Sequence, residues 1–266
     1  MVAYTSLVQL KSLQVRSSKS HKGENGRVLI VAGSQQYHGA SIFSALTSSY
    51  FVDLVYVLTE KSNIPFAKNS SPEFIVSELT KKNLEKFAEK ADSVLLGPGL
   101  SLNSKNKSLI NGFLKTFSNK KTILDATALR LLNPKLLHVN CILTPHAQEF
   151  QFLFKLNPTS KNAIFCAKKF QCTIVLKQSI ETITNGSKTF LDQQGNAGLT
   201  TGGTGDILAG LITAFASKNE LLLSCCSACF LLGKTADHLA QKKGLNYTAV
   251  QVMEQLPETL KSIKNQ

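Results

Sequence analysis

Continuously apolar, strand-like runs alternate with segments of helical periodicity along most of the chain. Strands buried on both faces of a parallel sheet have this composition, and helices cross between them. The pattern therefore predicts an α/β fold with a largely parallel central sheet and helices on both faces. The predicted strands are Val28–Ala32, Leu54–Leu58, Ser93–Leu96, Thr122–Leu124, Cys141–Leu143 and Thr173–Leu176. The helices predicted between them are Gly39–Tyr50, Leu84–Lys90, Lys105–Phe117, Ala147–Lys155 and Ser160–Phe170.

The pattern changes after Lys177. Two short β-prone runs, Glu181–Thr184 and Lys188–Leu191, flank Asn185-Gly186, a strong signal for a hairpin. The rest of the chain reads as helix, and the predicted segments are Asp206–Ala216, Leu221–Ala240 and Thr248–Ile263. Because no repeat, linker or shift in composition divides the sequence, we expect residues 1–266 to form one domain.

Composition narrows the classes of function. The net charge of +13 comes from scattered lysines, which indicates a solvated surface or a positive field that attracts a polyanionic small molecule. Aromatic residues do not interleave with the basic ones, so we expect no nucleic-acid partner. No apolar run is long enough for a membrane helix, so we expect a protein without a membrane partner. Six cysteines without a complete set of zinc ligands predict buried thiols and a reducing, cytoplasmic location, and we expect no metal bound directly by protein side chains.

Glycine-rich or polar clusters follow five of the predicted strands. Ligands of open parallel sheets bind beyond the carboxyl ends of the strands, so these clusters outline a site on one edge. They are Gly33-Ser34, Gly97-Pro98-Gly99, Asp125, Thr144-Pro145-His146 and Lys177.

The turn Thr201-Gly202-Gly203-Thr204-Gly205-Asp206 carries the strongest chemical signal. Its glycines allow successive backbone N–H groups to converge on an anion, and a helix N-terminus follows at once. This combination indicates phosphoryl-transfer chemistry. Asp206 is either an ordinary acid at the start of a helix or a base for a substrate hydroxyl, and we expect it to be ionised at neutral pH. Neither a P-loop nor a G-x-G-x-x-G pattern is present.

Three other polar residues have two interpretations each. Lys177 either reaches a phosphate or is an exposed lysine at a strand end. His146 either binds substrate or closes the turn before a helix. Asp125 either holds a magnesium-bound water or caps the next turn, and the structural role is favoured.

In this order, the motifs resemble those of the ADP-dependent (S)-NAD(P)H-hydrate dehydratase family, within the ribokinase-like superfamily. The similarity extends from about Leu13 to Leu260. It rests on SHKGENGRVLIVAGSQQYHGA (20–40), GPGL (97–100), LDATAL (124–129), TPHAQEF (144–150), TIVLK (173–177), GN (195–196) and TGGTGDILAG (201–210). The last of these is shared by many ribokinase-like kinases, whereas TPHxxE together with GPGL is more specific. The resemblance implies a three-layer ribokinase-like fold.

The resemblance also implies a function in nicotinamide-cofactor repair. The enzyme would be a lyase that uses ADP to phosphorylate the hydroxyl of the NAD(P)H hydrate and then eliminates phosphate, leaving NAD(P)H and AMP. The resemblance further implies that the enzyme uses Mg²⁺ with ADP and forms a homotetramer. The implied contacts with the hydrated dinucleotide are Ala40, Gly99, His146 and Asp206, with Asp206 as the catalytic base. The implied nucleotide site comprises Lys177, Gln178, Ser179, Ile180, Glu181 and Gly205.

Some positions depart from the family pattern, among them Gln178, Ser101 and Leu232. They motivate a third hypothesis, a nucleotide-binding protein without turnover. The second hypothesis is a ribokinase-like vitamin-precursor kinase that uses ATP and the same Asp206. No epimerase domain accompanies the motifs, so action on one hydrate epimer is expected.

Overall fold

The computed structural model of the protein describes residues 2–16 and 19–265. Within them, ten strands form one sheet with helices packed on both faces. The strands are β1 Val2–Tyr4, β2 Arg27–Val31, β3 Leu54–Thr59, β4 Ile75–Glu78, β5 Ser93–Leu96, β6 Lys121–Leu124, β7 Cys141–Leu143, β8 Thr173–Leu176, β9 Glu181–Thr184 and β10 Thr189–Asp192. The helices are α1 Leu7–Ser12, α2 His38–Ser49, α3 Ile64–Ser70, α4 Lys81–Lys90, α5 Ser104–Thr116, α6 Thr127–Leu131, α7 Ala147–Phe154, α8 Ser160–Phe170, α9 Thr204–Ala216, α10 Leu221–Lys243 and α11 Ala249–Lys264.

The sheet is mostly parallel. Its order is β1-β10-β9-β8-β7-β6-β5-β2-β3-β4, and the strands from β4 to β8 in this order all run parallel. The predicted hairpin of β9 and β10 adds antiparallel strands, and β1 closes that side parallel to β10. The prediction of a largely parallel α/β sheet is confirmed.

Alternate residues of the strands face two separate cores. Val28 and Ile30 of β2 belong to a core that contains residues of α9, α10 and α11. Leu29 and Val31 point to the other face, where α4, α5, α7 and α8 contribute. Because both faces are covered, the strands read as continuous apolar runs in the sequence. The arrangement has the predicted three layers. Within the described residues, no helix is both long and apolar enough to cross a membrane.

Several predicted boundaries were wrong. The second hairpin strand begins at Thr189 rather than Lys188, because Lys188 lies in the turn and its N–H donates to Asn185 Oδ1 at 2.8 Å. The helix predicted from Leu84 begins at Lys81, after Thr80, whose hydroxyl accepts from the Asn83 N–H. Among the described residues, two strands and three α-helices were missed altogether: β1, β4, α1, α3 and α6. The two strands at the sheet edges, β1 and β4, are only three and four residues long and contain no buried residue, so their apolar runs are too short to predict a strand.

The strand order reverses at β2. This strand lies between β3 and β5, so the chain leaves β2 and β5 in opposite directions and opens a crevice beyond their carboxyl ends. The two glycine turns meet there, since the Gly33 N–H donates to Pro98 O at 2.8 Å. Gly97 has φ +125°, and a Cβ at this position would collide with the carbonyl oxygen of Asp125. The clusters predicted to share one edge therefore do so in the folded chain.

Candidate active site

The glycine-rich turn ends in helix α9, which carries Asp206 in its first turn. Gly203 precedes the helix at φ +103°, a conformation that favours glycine, and the Thr204 hydroxyl donates back to Leu199 O at 2.7 Å. On the other side, the Ser44 hydroxyl of α2 donates to Asp206 O at 3.1 Å. Gly210 has no side chain to separate α9 from the Ser44 backbone. This close helix packing fixes the position of the Asp206 backbone.

Asp206 is not the freely ionised acid that its place in a helix suggested. Burial raises the pKa of its carboxyl to about 7, and the negative charge of Asp125 contributes in the same direction, whereas the Lys177 ammonium lowers it. The expectation that Asp206 is fully ionised at neutral pH was wrong, because the burial and the second carboxylate arise only in the fold. A carboxyl that titrates near pH 7 can both accept and return a proton.

Lys177 and Asp125 form an ion pair beside Asp206. Lys177 Nζ lies 2.9 Å from Asp125 Oδ1, and the Thr144 hydroxyl donates to the same oxygen at 2.8 Å. Burial lowers the pKa of Lys177, but the charge of Asp125 and further acids more than offset this and raise it. The Lys177 side chain is only 20% exposed, and among the described residues no turn is capped by a hydrogen bond of the Asp125 side chain. The cation also reaches the glycine turn, because a Cβ at Gly205 would lie 3.8 Å from Lys177 Nζ.

His146 closes the turn before α7. Its Nδ1 accepts from the N–H groups of Gln148 and Glu149, and the Glu149 carboxylate accepts from the His146 N–H at 3.0 Å, which completes a capping box. His146 forms a parallel bridge with Lys177, so the two predicted residues are neighbours. The imidazole is half exposed, and Nε2 lies 3.5 Å from Glu149 Oε1. His146 therefore caps the helix, and part of its imidazole ring remains exposed to solvent.

A cleft of about 530 Å³ lies beyond the carboxyl ends of β2, β5 and β6. It brings Ala40, Gly99 and Asp206, all predicted substrate contacts, to one surface. Gly99 has φ +64°, and a Cβ there would come within 2.7 Å of Ala40 Cβ. His146 does not line the cleft, although Glu149 of the same motif does. The lining residues are Ser34, Gln36, Tyr37, Ala40, Gly99, Leu100, Ser101, Leu102, Ala126, Thr127, Arg130, Glu149 and Asp206.

The predicted nucleotide residues lie outside this cleft. Gln178, Ser179 and Ile180 form an exposed bend, and Gln178 Nε2 donates to Pro158 O at 3.0 Å. Glu181 begins β9 and is partly buried. Burial raises its pKa to about 7, with the Cys229 thiol hydrogen bond opposing and the charge of Asp192 adding to the rise. Of the six predicted residues, Lys177 and Gly205 are brought together, whereas Glu181 faces α10.

The positions that depart from the family pattern have clear structural roles. Ser101 lines the cleft, and its hydroxyl and N–H donate to the Glu60 carboxylate at 2.9 and 3.0 Å. Leu232 is buried in α10, within the same core as α9. Sequence reasoning missed Glu60 and Arg130. Arg130 follows Asp125 by five residues, which was a signal that it could share the edge.

Two other sets of residues lie away from these groups. A cavity of about 660 Å³ is lined by residues of α1, α10 and α11, and none of the predicted site residues line it. All six cysteines are free and buried, as predicted. Burial raises the pKa of the Cys141 thiol to about 12, so these groups are poor nucleophiles.

Comparison with known proteins identifies relatives. The family model for NAD(P)H-hydrate dehydratase matches residues 28–258. The ADP-dependent (S)-NAD(P)H-hydrate dehydratase of Nitrosopumilus maritimus is 37% identical over 277 residues, with 97% of this chain and 96% of the relative covered. The chain also matches a bifunctional NAD(P)H-hydrate repair enzyme of Methanocaldococcus jannaschii, of which it spans about half, 51%.

Solved structures resemble the chain along its length. A ribokinase-like superfamily protein of Enterococcus faecalis has a TM-score of 0.90 at 29% identity, with 100% of this chain and 97% of that chain covered. The ADP/ATP-dependent NAD(P)H-hydrate dehydratase of Bacillus subtilis, co-crystallised with ATP and Mg²⁺, has a TM-score of 0.88 at 25% identity, with 98% and 99% covered. The prediction of a ribokinase-like fold is confirmed.

Proposed function

Because the chain belongs to the NAD(P)H-hydrate dehydratase family, we propose that it is an ADP-dependent lyase that restores NAD(P)H from (S)-NAD(P)H hydrate, with release of AMP and phosphate. The observation that carries this proposal is the position of Asp206. Its carboxyl lies at the cleft, in the first turn of a helix that follows a glycine-rich turn, and beside the ion pair of Lys177 and Asp125.

Asp206 serves as the base in this proposal. It accepts the proton of the substrate hydroxyl while that oxygen attacks the terminal phosphorus of ADP and AMP leaves. In the second stage the carbon–oxygen bond breaks, phosphate departs with the bonding electrons, and loss of a proton from the neighbouring carbon restores the double bond of the ring. A pKa of about 7 matches a group that must accept a proton at neutral pH.

The surrounding groups position the two ligands. Lys177 and the backbone around Gly205 offer positive charge and N–H donors to the transferred phosphoryl group. We propose that the exposed bend of Gln178, Ser179 and Ile180, together with the backbone of Glu181, completes the nucleotide site. Ala40, Gly99 and His146 contact the hydrated dinucleotide. Phosphoryl transfer depends mainly on such positioning and on electrostatic stabilisation.

A magnesium ion fits this site as a companion of the nucleotide. No group of three or more His, Cys, Asp or Glu side chains among the described residues could hold a metal ion. Mg²⁺ is commonly held by one or two carboxylates together with substrate phosphates and water, so the nucleotide phosphates would hold it, with Asp125 reached through a bound water. It would neutralise charge on the transferred group.

We also propose one domain, a homotetramer and a cytoplasmic location. Six free, buried thiols support a reducing compartment. Light scattering after size-exclusion chromatography tests the tetramer directly.

Turnover of purified (S)-NADH hydrate with ADP tests the proposed function. We expect the absorbance of reduced nicotinamide to return as AMP forms. Asp206→Asn should abolish turnover. Asp92→Asn, the same change just before β5 at the amino ends of the parallel strands, should leave turnover intact. A stable phosphorylated product formed from ATP would instead indicate a ribokinase-like kinase, and nucleotide binding without any turnover would indicate a non-catalytic protein.

A further inference from the structure

Arg130 gives the cleft a positive charge that the predicted site does not use. It lies near the end of α6 and is the only lysine or arginine among the described residues that line the cleft. The other charged residues of the lining are the carboxylic acids Glu149 and Asp206. A cleft that binds a polyanionic dinucleotide therefore presents one cation to it.

The guanidinium of Arg130 is free to bind an anion. Within the described part of the chain, no carboxylate lies within 4.0 Å of it to form an ion pair. Its Cζ stacks 5.7 Å from the centroid of the Phe152 ring, and Lys155 Nζ lies 4.4 Å from the same centroid. The Phe152 ring is 47% exposed. Two cations thus lie over one aromatic ring, and among the described residues no carboxylate forms an ion pair with either of them.

An arginine held in this way suits a phosphate group. Its planar donors match phosphate oxygens in pairs, and stacking on an aromatic ring orients the plane. The proposed donor residues lie outside the cleft, so ADP does not account for this charge. The hydrated dinucleotide brings a pyrophosphate in both forms, and the NADPH form adds a 2′-phosphate.

We propose that Arg130, supported by Phe152 and Lys155, binds a phosphate group of the hydrated dinucleotide and anchors the half of the substrate that does not react. This inference rests on the proposed function, because it assigns the substrate of that site. Arg130 is a binding residue whose removal weakens the affinity for substrate and leaves the chemical step at Asp206 unchanged.

Steady-state kinetics with (S)-NADH hydrate and (S)-NADPH hydrate test the inference. We expect Arg130→Ala to raise KM about tenfold with unchanged kcat, since hydrogen bonds to a charged group are lost. Arg130→Lys should recover part of the affinity. Arg27→Ala is the matched control. Arg27 is also exposed, but it begins β2, at the amino ends of the parallel strands and away from the cleft. Circular dichroism confirms that each variant is folded.

The results separate the two phosphate sources. A rise in KM for the NADPH hydrate alone assigns the 2′-phosphate, and an equal rise for both hydrates assigns the pyrophosphate. Unchanged KM values for both hydrates, or a rise in the KM for ADP alone, overturn the inference. If the unmodified protein turns over neither hydrate, the proposed function fails. Binding of NADPH then tests the role of Arg130 separately. Equal affinity of the unmodified protein and of Arg130→Ala for NADPH would overturn the proposal that Arg130 binds a phosphate of the dinucleotide.

Discussion

Replacing Asp206 with asparagine should stabilise the fold at alkaline pH while it removes activity. The carboxyl is held where its negative charge is unfavourable, by burial and by the charge of Asp125, and Lys177 only partly offsets this. Asparagine keeps nearly the same shape and carries no charge. Residues that serve chemistry often reduce stability, and Asp206 should be one of them.

The magnitude follows from the pKa. It rises from 3.8 to about 7 on folding, so between these values the folded protein binds more protons than the unfolded chain. The free energy of unfolding then falls as the pH rises through this interval. At about 1.36 kcal/mol for each pH unit, Asp206→Asn gains at most roughly 4 kcal/mol of stability over the unmodified protein above pH 7. Below pH 4 the two proteins should be equally stable.

Urea unfolding at pH 4, 6 and 8 measures this difference. We expect the gain from Asp206→Asn to grow from pH 4 to 8 and then to level off. Asp92→Asn is the control, because Asp92 directly precedes β5, at the amino ends of the parallel strands. Its effect on the free energy of unfolding should not increase with pH in the same way. Equal stability of Asp206→Asn and the unmodified protein at pH 8 would refute the conclusion that the Asp206 charge is unfavourable in the fold.

Three other changes test the site. The kcat/KM for the hydrate should rise with pH through about 7 and then level off, as Asp206 loses its proton, and a flat profile from pH 5 to 9 would argue against this base. Lys177→Met should lower the free energy of unfolding in urea by about 3 kcal/mol, because the Asp125 carboxylate stays buried without its cation. Adding Asp125→Asn should recover much of this loss. No recovery in the double variant would contradict the pairing of Lys177 with Asp125. Gly99→Ala should destabilise the protein by more than about 1 kcal/mol, because φ at Gly99 is +64° and the new Cβ would collide with Ala40. Gly112→Ala, where a Cβ meets open space in α5, should not destabilise the protein. Equal thermal midpoints for the two variants would contradict this geometry.

The buried sheet could be predicted from the sequence because its signal is local. β5, β7 and β8 have the predicted bounds, since each is a continuous apolar run between turns. The edge strands β1 and β4 have apolar runs of only three and two residues, and β1 pairs with β10, which is distant in the chain. Helix α6 has only five residues, too few for a periodic pattern.

The site was partly predictable for a similar reason. The rule that ligands bind at the carboxyl ends of parallel strands placed Gly99, Asp125 and Lys177 on one side of the sheet, and the structure agrees. The electrostatics could not be foreseen. The pKa of Asp206 depends on burial and on the charge of Asp125, both of which arise only in the fold.

Phosphorus NMR of the reaction products shows whether the protein dehydrates the hydrate at the expense of ADP. The protein is mixed with ADP and (S)-NADPH hydrate in equal amounts, and the products are followed to completion. We expect AMP and inorganic phosphate to appear in equal amounts and NADPH to be recovered to the same extent. A phosphate ester that persists on the dinucleotide, or ADP that remains unconsumed while the hydrate is stable, would contradict the proposed function.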